Sequence, residues 1–239
     1  MKIIVIIGDL IIGKYFVTEF SKYNNFEIII EKRKRDKFKW LIKKLKKYPF
    51  LFPFRLIETL YLTFENRIMT KKIKRYFSNK IKPFRSYSIN NINSKRTAEL
   101  IKKLKPDIGI IIGTSILKNK IIKLFPKGIL NLHTGILPHY RGVRSEFWAL
   151  YNKDYDNIGS TIIKIDEGID SGNVLLQNKV KVEPGDNEFI LKCKNIENGV
   201  KLMIKAINNF DKLKIERQRE GKYYSNPGFI DSLKFRFFK

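Results

Sequence analysis

Two short stretches of this chain hold side chains that could do chemistry together. In the first, Asn131-Leu132-His133 closes an apolar run. Residues two apart on an extended strand point the same way, so the Asn131 amide and the His133 imidazole share one face. An amide N–H and an imidazole aimed at one point polarise a carbonyl and hold the charge that grows on its oxygen when an amine attacks. The second stretch, Asp166-Glu167-Gly168-Ile169-Asp170-Ser171-Gly172, follows some three dozen residues later and sets Asp170 in a glycine-bracketed loop. A carboxylate beside an imidazole supports its charged form and can pass a proton through water. Each stretch alone also has a plain structural reading. A strand-end histidine is more often packed than catalytic, and Asp166 and Asp170 could simply cap turns. Of the two histidines in the chain, His139 is read as a surface or loop residue.

The elements that must position these residues follow an α/β order. An apolar run at 2–7, a helical spacing at 13–23 and a second strand at 26–31 make a β-α-β opening, which implies a parallel sheet with a right-handed crossover. Further strands are expected at 87–89, 107–113, 128–133, 160–165 and 174–182. The run 107–113 (DIGIIIG) is near-continuously apolar, as a central parallel strand should be. Helices are expected at 34–47, 56–77, 94–104, 119–125, 145–151 and 187–209, the last with Asp186 as its cap. The tail at 213–224 reads as a hairpin or two short strands. No repeat or disordered linker interrupts the pattern. The fold class is therefore α/β, a Rossmann-like, mostly parallel sheet with helices on both faces. It would form one catalytic domain over 1–210 with a basic helical insert at about 32–85 and a short C-terminal extension at 211–239. Asn131 and His133 then stand at a strand's C-terminal end, where open α/β sheets bind ligands.

Composition narrows the classes. The chain has 239 residues, 43% of them hydrophobic and 30% charged, which suits a globular protein with a substantial core. Its one cysteine, Cys193, excludes an intramolecular disulfide and a zinc cluster, so a reducing compartment and no metal are expected. Cys193 falls in a helical pattern with Ile190, Leu191 and Ile196 and reads as packed. The apolar start is too short for a signal peptide. The stretch 50–64 is broken by Pro53, Arg55 and Glu58, so it should not span a bilayer, and a cytoplasmic protein is expected, in one reading peripheral to the inner face of the membrane. The formal charge is +26, and residues 32–85 carry 19 Lys and Arg against Asp36, Glu58 and Glu65, a local excess of +16. Such a field favours an anionic partner (nucleic acid, a phosphorylated substrate or an anionic lipid surface), although the abundance of Lys, Ile and Asn also fits a plain compositional bias.

The combination Asn131-Leu132-His133, then Leu137-Pro138, Tyr140-Arg141-Gly142, and later Asp166-x-Gly168-x-Asp170-x-Gly172 resembles the formyltransferase family. That family includes glycinamide ribonucleotide transformylase, methionyl-tRNA formyltransferase and sugar N-formyltransferases. The resemblance is specific over about 105–182. It implies the fold of the family's N-terminal domain and 10-formyltetrahydrofolate as co-substrate, without a metal. It also implies catalytic roles for Asn131, His133 and Asp170. The pterin would lie against Thr114-Ser115-Ile116-Leu117 and the loop Ile165-Asp166-Glu167-Gly168. The loop after the first strand, Gly8-Asp9-Leu10-Ile11-Ile12-Gly13, is too poor in Gly and Ser to match the phosphate nest of the ribonucleotide enzyme, which argues against a purine-pathway substrate. The tRNA enzymes carry a further C-terminal domain, for which the residues after Gly172 leave no room. The expected acceptor is therefore a nucleotide-linked amino sugar on a route to surface polysaccharide. The alternatives are methionyl-tRNA, which the positive field favours, or a catalytically inactive binding protein of the same fold. The aromatic residues of the insert (Phe38, Trp40, Tyr48, Phe50, Phe52, Phe54) stack a nucleobase, meet a membrane surface or dock extra helices in three open readings.

Overall fold

The predicted apolar runs come together as one sheet. The computed structural model describes residues 1–32 and 52–237, so the helix expected at 34–47 and most of the insert's aromatic residues lie outside the described part. Strands β1 (Ile3–Gly8), β2 (Phe26–Glu31), β3 (Tyr87–Ile89), β4 (Ile108–Ile112), β5 (Ile129–His133), β7 (Gly159–Lys164) and β8 (Asn173–Lys179) build a seven-stranded sheet in the order β3-β2-β1-β4-β5-β7-β8. The pairs β1–β2, β1–β4, β2–β3 and β4–β5 are parallel, and β7 and β8 add antiparallel. Chain progression reverses between β1 and β4. That is the switch point at which an open α/β sheet leaves a crevice beyond its strand ends.

Period-two alternation explains how both faces fill. Ile3, Val5 and Ile7 of β1, Ile108, Ile110 and Ile112 of β4, and Leu130 and Leu132 of β5 face one layer. There they meet α1 (Ile11–Phe20), α2 (Phe52–Ser78) and α6 (Glu188–Asn208) through Phe16, Phe20, Phe77, Ile196, Val200 and Met203. The alternate residues Ile4, Ile6, Ile29, Ile111 and Ile129 face α3 (Lys95–Leu104) and α4 (Asn119–Ile122), meeting Ile101, Leu104 and Ile121. Each fully buried isoleucine contributes about 1.5–3 kcal/mol relative to exposure, so a sheet this rich in Ile needs few polar contacts to hold it. Asn131 and His133 occupy the second face of β5, out of register with its buried leucines.

Local chemistry sets the helix ends. Ser94 caps α3 by accepting from the Thr97 N–H at 3.1 Å, and Lys105 closes it in the left-handed region (φ 47) before Pro106. Pro53 stands in the first turn of α2, where its missing N–H costs nothing. Two expectations are corrected. The cap of α6 is Asn187, whose side chain accepts from the Ile190 N–H at 3.2 Å. Asp186 instead closes the preceding turn, accepting from the Glu183 N–H at 2.9 Å and pairing with Lys194 at 2.8 Å. Of the two readings of the tail, the hairpin does not form, whereas short extended pieces do. Glu216 bridges to Val174, β9 (Tyr223–Tyr224) pairs in parallel with β6 (Arg141–Gly142), and a helix, α7 (Phe229–Phe237), follows. Tertiary partners drive this, since Tyr224 packs between Tyr140 and Trp148 with ring centroids at 5.3 and 5.1 Å. Between β6 and β7 runs α5 (Ser145–Tyr151).

Candidate active site

His133 ends β5 with 7% of its surface exposed, and its two ring nitrogens have different surroundings. Nε2 lies 2.7 Å from the Tyr140 main-chain oxygen. A carbonyl can only accept, so Nε2 carries a hydrogen and donates it. Nδ1 is the nitrogen left to face the cleft, and the Asp170 Oδ2 atom stands 3.6 Å from it. The Asp170 carboxylate reaches the other members of the constellation as well. Oδ2 accepts from the Gly142 N–H at 3.0 Å, and Oδ1 stands 3.5 Å from Asn131 Nδ2. The structure thus brings Asn131, His133 and Asp170, far apart in the chain, around one small volume.

Two loops hold this arrangement. The 134–144 loop passes over His133 so closely that a β-carbon on Gly135 would come 2.8 Å from His133 Nε2. Thr161 ties its start, donating to the Gly135 oxygen at 2.7 Å and accepting from the Leu137 N–H at 3.2 Å. Gln177 donates to the Leu137 oxygen at 2.6 Å. The Tyr140 hydroxyl donates to Asp154 at 2.8 Å, and burial above all, with that carboxylate, pushes the phenol well above the usual tyrosine range. Asp170 adopts φ 48, in the left-handed region that Asp tolerates through local hydrogen bonds. Arg141 donates to the Ile169 oxygen at 2.8 Å and Gln218 to the Asp170 oxygen at 3.2 Å, pinning the acidic loop to both neighbours. At Gly142 (φ 101) any side chain would strike the Tyr224 carbonyl, so glycine is required where β6 meets β9.

A cleft of about 300 Å³ opens from this cluster. Thr114, Ser115, Ile116 and Leu117 line it together with Ile165, Asp166 and Gly168. Glu167 is the exception among the expected residues, because its side chain turns to Asn119 and stays out of the lining. Asp166 behaves as a turn residue, accepting from the Gly168 N–H at 2.9 Å and the Ser171 hydroxyl at 2.7 Å. His139 is exposed, and Cys193 is buried, which pushes its thiol up to about 12. A larger cleft of about 980 Å³, lined in part by Tyr151, Lys153, Glu183 and Lys234, contains none of the candidate catalytic or folate-binding residues. Volume does not make a site. The smaller cleft has the convergent polar groups.

Sequence reasoning missed the groups that fix the 114–118 loop. Glu31, at the end of β2 and 1% exposed, accepts from the Ser115 N–H at 2.8 Å and the Ile92 N–H at 3.0 Å. Asn93 donates to the Ile116 oxygen at 2.9 Å and accepts from the Lys118 N–H at 2.8 Å. A carboxylate directly following three isoleucines at the end of a strand (FEIIIE) was the available signal for Glu31. Asn93 carries none, since Asn in a turn is ordinary.

Comparison with known proteins gives a consistent result. The family model described as formyl transferase matches residues 63–207. Methionyl-tRNA formyltransferase from Kosmotoga olearia is 39% identical over 118 residues, covering 49% of this chain and 38% of that protein. This chain spans between 35% and 48% of the length of such curated relatives. Among solved structures, a sugar N-formyltransferase from a Shewanella species superposes with a TM-score of 0.60 at 16% identity, covering 94% of this chain and 76% of that one. An N-formyltransferase from Helicobacter canadensis, solved with folinic acid and dTDP-3-aminofucose, gives 0.58 at 17% identity, covering 95% and 71%. At these identities the two structures establish the fold.

Proposed function

This chain belongs to the formyl transferase family, and from that premise we propose that it moves a formyl group from 10-formyltetrahydrofolate to the amino group of a nucleotide-linked amino sugar. The observation that carries the reading is the convergence of the Asn131 amide, the His133 Nδ1 atom and the Asp170 carboxylate, with separations of 3.5 and 3.6 Å, at the mouth of a cleft. The cleft suits a folate. Ile111, Ile163 and Ile165 offer apolar contact to a flat ring, and residues 114–117 line the cleft beside them. The folate supplies the formyl group and its nitrogen leaves.

The chain's own residues do the rest. Asn131 Nδ2 and His133 Nδ1 donate to the formyl oxygen as it gains charge under attack by the unprotonated amine. Because Nε2–H is held on the Tyr140 carbonyl, donation by Nδ1 requires a doubly protonated ring, whose positive charge the Asp170 carboxylate balances. Asp170, through a water, takes the proton the amine gives up and returns it to the departing nitrogen. His133→Ala and Asp170→Asn are each expected to fold normally and lose about 100- to 1,000-fold in kcat. Near-normal turnover in either variant would remove the assignment.

The sugar acceptor is supported by fold likeness over nearly the whole chain, at 94% and 95%, to enzymes that include one bound to a nucleotide-linked amino sugar. The second reading, methionyl-tRNA, is favoured by the 39% identity to the Kosmotoga enzyme and by the basic residues 32–85. The two part in one assay. The protein is incubated with 10-formyltetrahydrofolate and either a panel of nucleotide-linked 3-amino and 4-amino sugars or methionine-charged initiator tRNA, scoring folate release. Turnover with a sugar supports the first reading. Formylation of the tRNA alone overturns it and leaves the family's reaction in place.

A further inference from the structure

Helix α2 has a solvent face of unusual composition. Its inner side carries Thr59, Ile73 and Phe77, all buried against the body of the protein. On its outer side Ile57, Leu60, Phe64 and Ile68 are 59%, 62%, 63% and 38% exposed. At 100° per residue these four fall within an arc of about 80°, and Lys71 and Arg75 continue the same stripe toward the C-terminus. Arg67, Lys72 and Lys74 flank it, and all five cations are exposed. The outward face is thus apolar over three turns and then cationic over two. Beside its apolar end Phe229 of α7 stands edge-on to Tyr61 at 5.0 Å, and the next residue, Ile230, is 61% exposed.

A solvated helix face normally presents charge throughout, and four large aliphatic and aromatic side chains in one row cost free energy unless something covers them. The occupant must take both halves. Nucleic acid would use the cations and stack on Phe64 alone, since Ile57, Leu60 and Ile68 offer its bases no stacking surface. An anionic bilayer takes both, with apolar side chains entering the headgroup–acyl boundary and lysines and arginines meeting lipid phosphates. The described stretch 52–85, which includes this helix, carries nine Lys and Arg against Glu58 and Glu65, an excess of +7 that suits an anionic surface. No helix among the described residues is long and apolar enough to cross a membrane, so contact would be along the surface.

We propose that the outer face of α2, from Ile57 to Arg75, docks this protein on an anionic lipid bilayer. The inference stands apart from the identity of the acceptor, since it uses none of the residues around His133. The test is co-sedimentation of the intact protein with vesicles of phosphatidylcholine, with and without phosphatidylglycerol. Three double variants are compared: Leu60→Glu/Phe64→Glu, Lys71→Glu/Arg75→Glu, and a control with the same charge change on the exposed side of α3, Lys102→Glu/Lys103→Glu. The wild type should bind only the anionic vesicles. Each α2 variant should bind at least about 30-fold more weakly, as two inserted side chains or four units of charge near the surface imply, and the control should change by less than about threefold. All three should keep the wild-type circular dichroism spectrum and formyl transfer rate, because the altered side chains are exposed. Equal binding to neutral vesicles, equal weakening by the control, or unaltered binding of the Leu60/Phe64 variant would each overturn the proposal. So would absent vesicle binding alongside initiator tRNA binding that the Lys71/Arg75 variant loses, which assigns the face to RNA.

Discussion

In the proposed reaction, the role of His133 depends on a main-chain group. The Tyr140 oxygen at 2.7 Å fixes which nitrogen is free, and the Gly142 N–H at 3.0 Å fixes the Asp170 carboxylate that faces it. Asn131, His133 and Asp170 could be singled out in the sequence because histidine is rare in this chain and the spacing of the two stretches is distinctive. The two backbone partners could not, because every residue has a carbonyl and nearly every one an N–H. The fit can be tested without touching a reactive side chain. Gly135→Ala would set a methyl group 2.7 Å from Ser145 Oγ and 2.8 Å from His133 Nε2, pushing the ring off its carbonyl. Expected is a kcat loss of about 10- to 100-fold with little change in KM, read by steady-state kinetics. Burial also predicts an alkaline limit. It is the main cause that pushes the Cys193 thiol and the Tyr15 phenol up to about 12 each. Both groups therefore hold their protons in the folded state at pH values where the unfolded chain releases them, from about 8.5 for the thiol and about 10 for the phenol. Stability should be intact below pH 8 and decline as pH rises toward 12. Urea unfolding across that range should show the decline, and Cys193→Ala should lack its earlier part.

At the scale of elements, apolar periodicity located the sheet strands, and the bounds of β2, β3 and α5 fell where the pattern placed them. The misses share one cause, competition among neighbouring polar residues or partners remote in sequence. Asp186 and Asn187 both can cap, and Lys194 draws Asp186 away. The segments β9 and α7 exist because Tyr140, Phe147 and Trp148 receive them, with Phe235 packed 4.7 Å from Phe147. The 114–118 loop likewise depends on distant elements, gripped by Glu31 and by Asn93. Glu31→Gln leaves one N–H without its acceptor. If this loop receives the folate, KM for the donor should rise about 10-fold while kcat moves less than about threefold. A matched fall in kcat with KM unchanged would show that the loop serves chemistry rather than binding.

Across the whole molecule, one guanidinium ties together elements that lie far apart in the chain. Arg144 binds Glu188 at the start of α6 through two bonds of 2.8 and 2.6 Å, approaches Glu65 of α2 at 3.9 Å, and Glu65 in turn meets Arg236 of α7 at 2.9 Å. Arg144→Met should lower stability by about 2 kcal/mol, and adding Glu188→Leu should recover part of that, since a lone buried carboxylate is worse than none. A double-mutant cycle in urea checks this. The overall class and the mostly parallel sheet were legible from the alternation of strand and helix patterns. The acceptor was not, because no one segment of sequence records a surface assembled from several loops. One consequence reaches into the laboratory. The sole sulfhydryl of the chain is Cys193, sealed 2% exposed within α6. A cysteine introduced at an open position such as Leu60 would be the only site open to a maleimide dye, so a polarity-sensitive fluorophore could report what that surface meets without any background mutation.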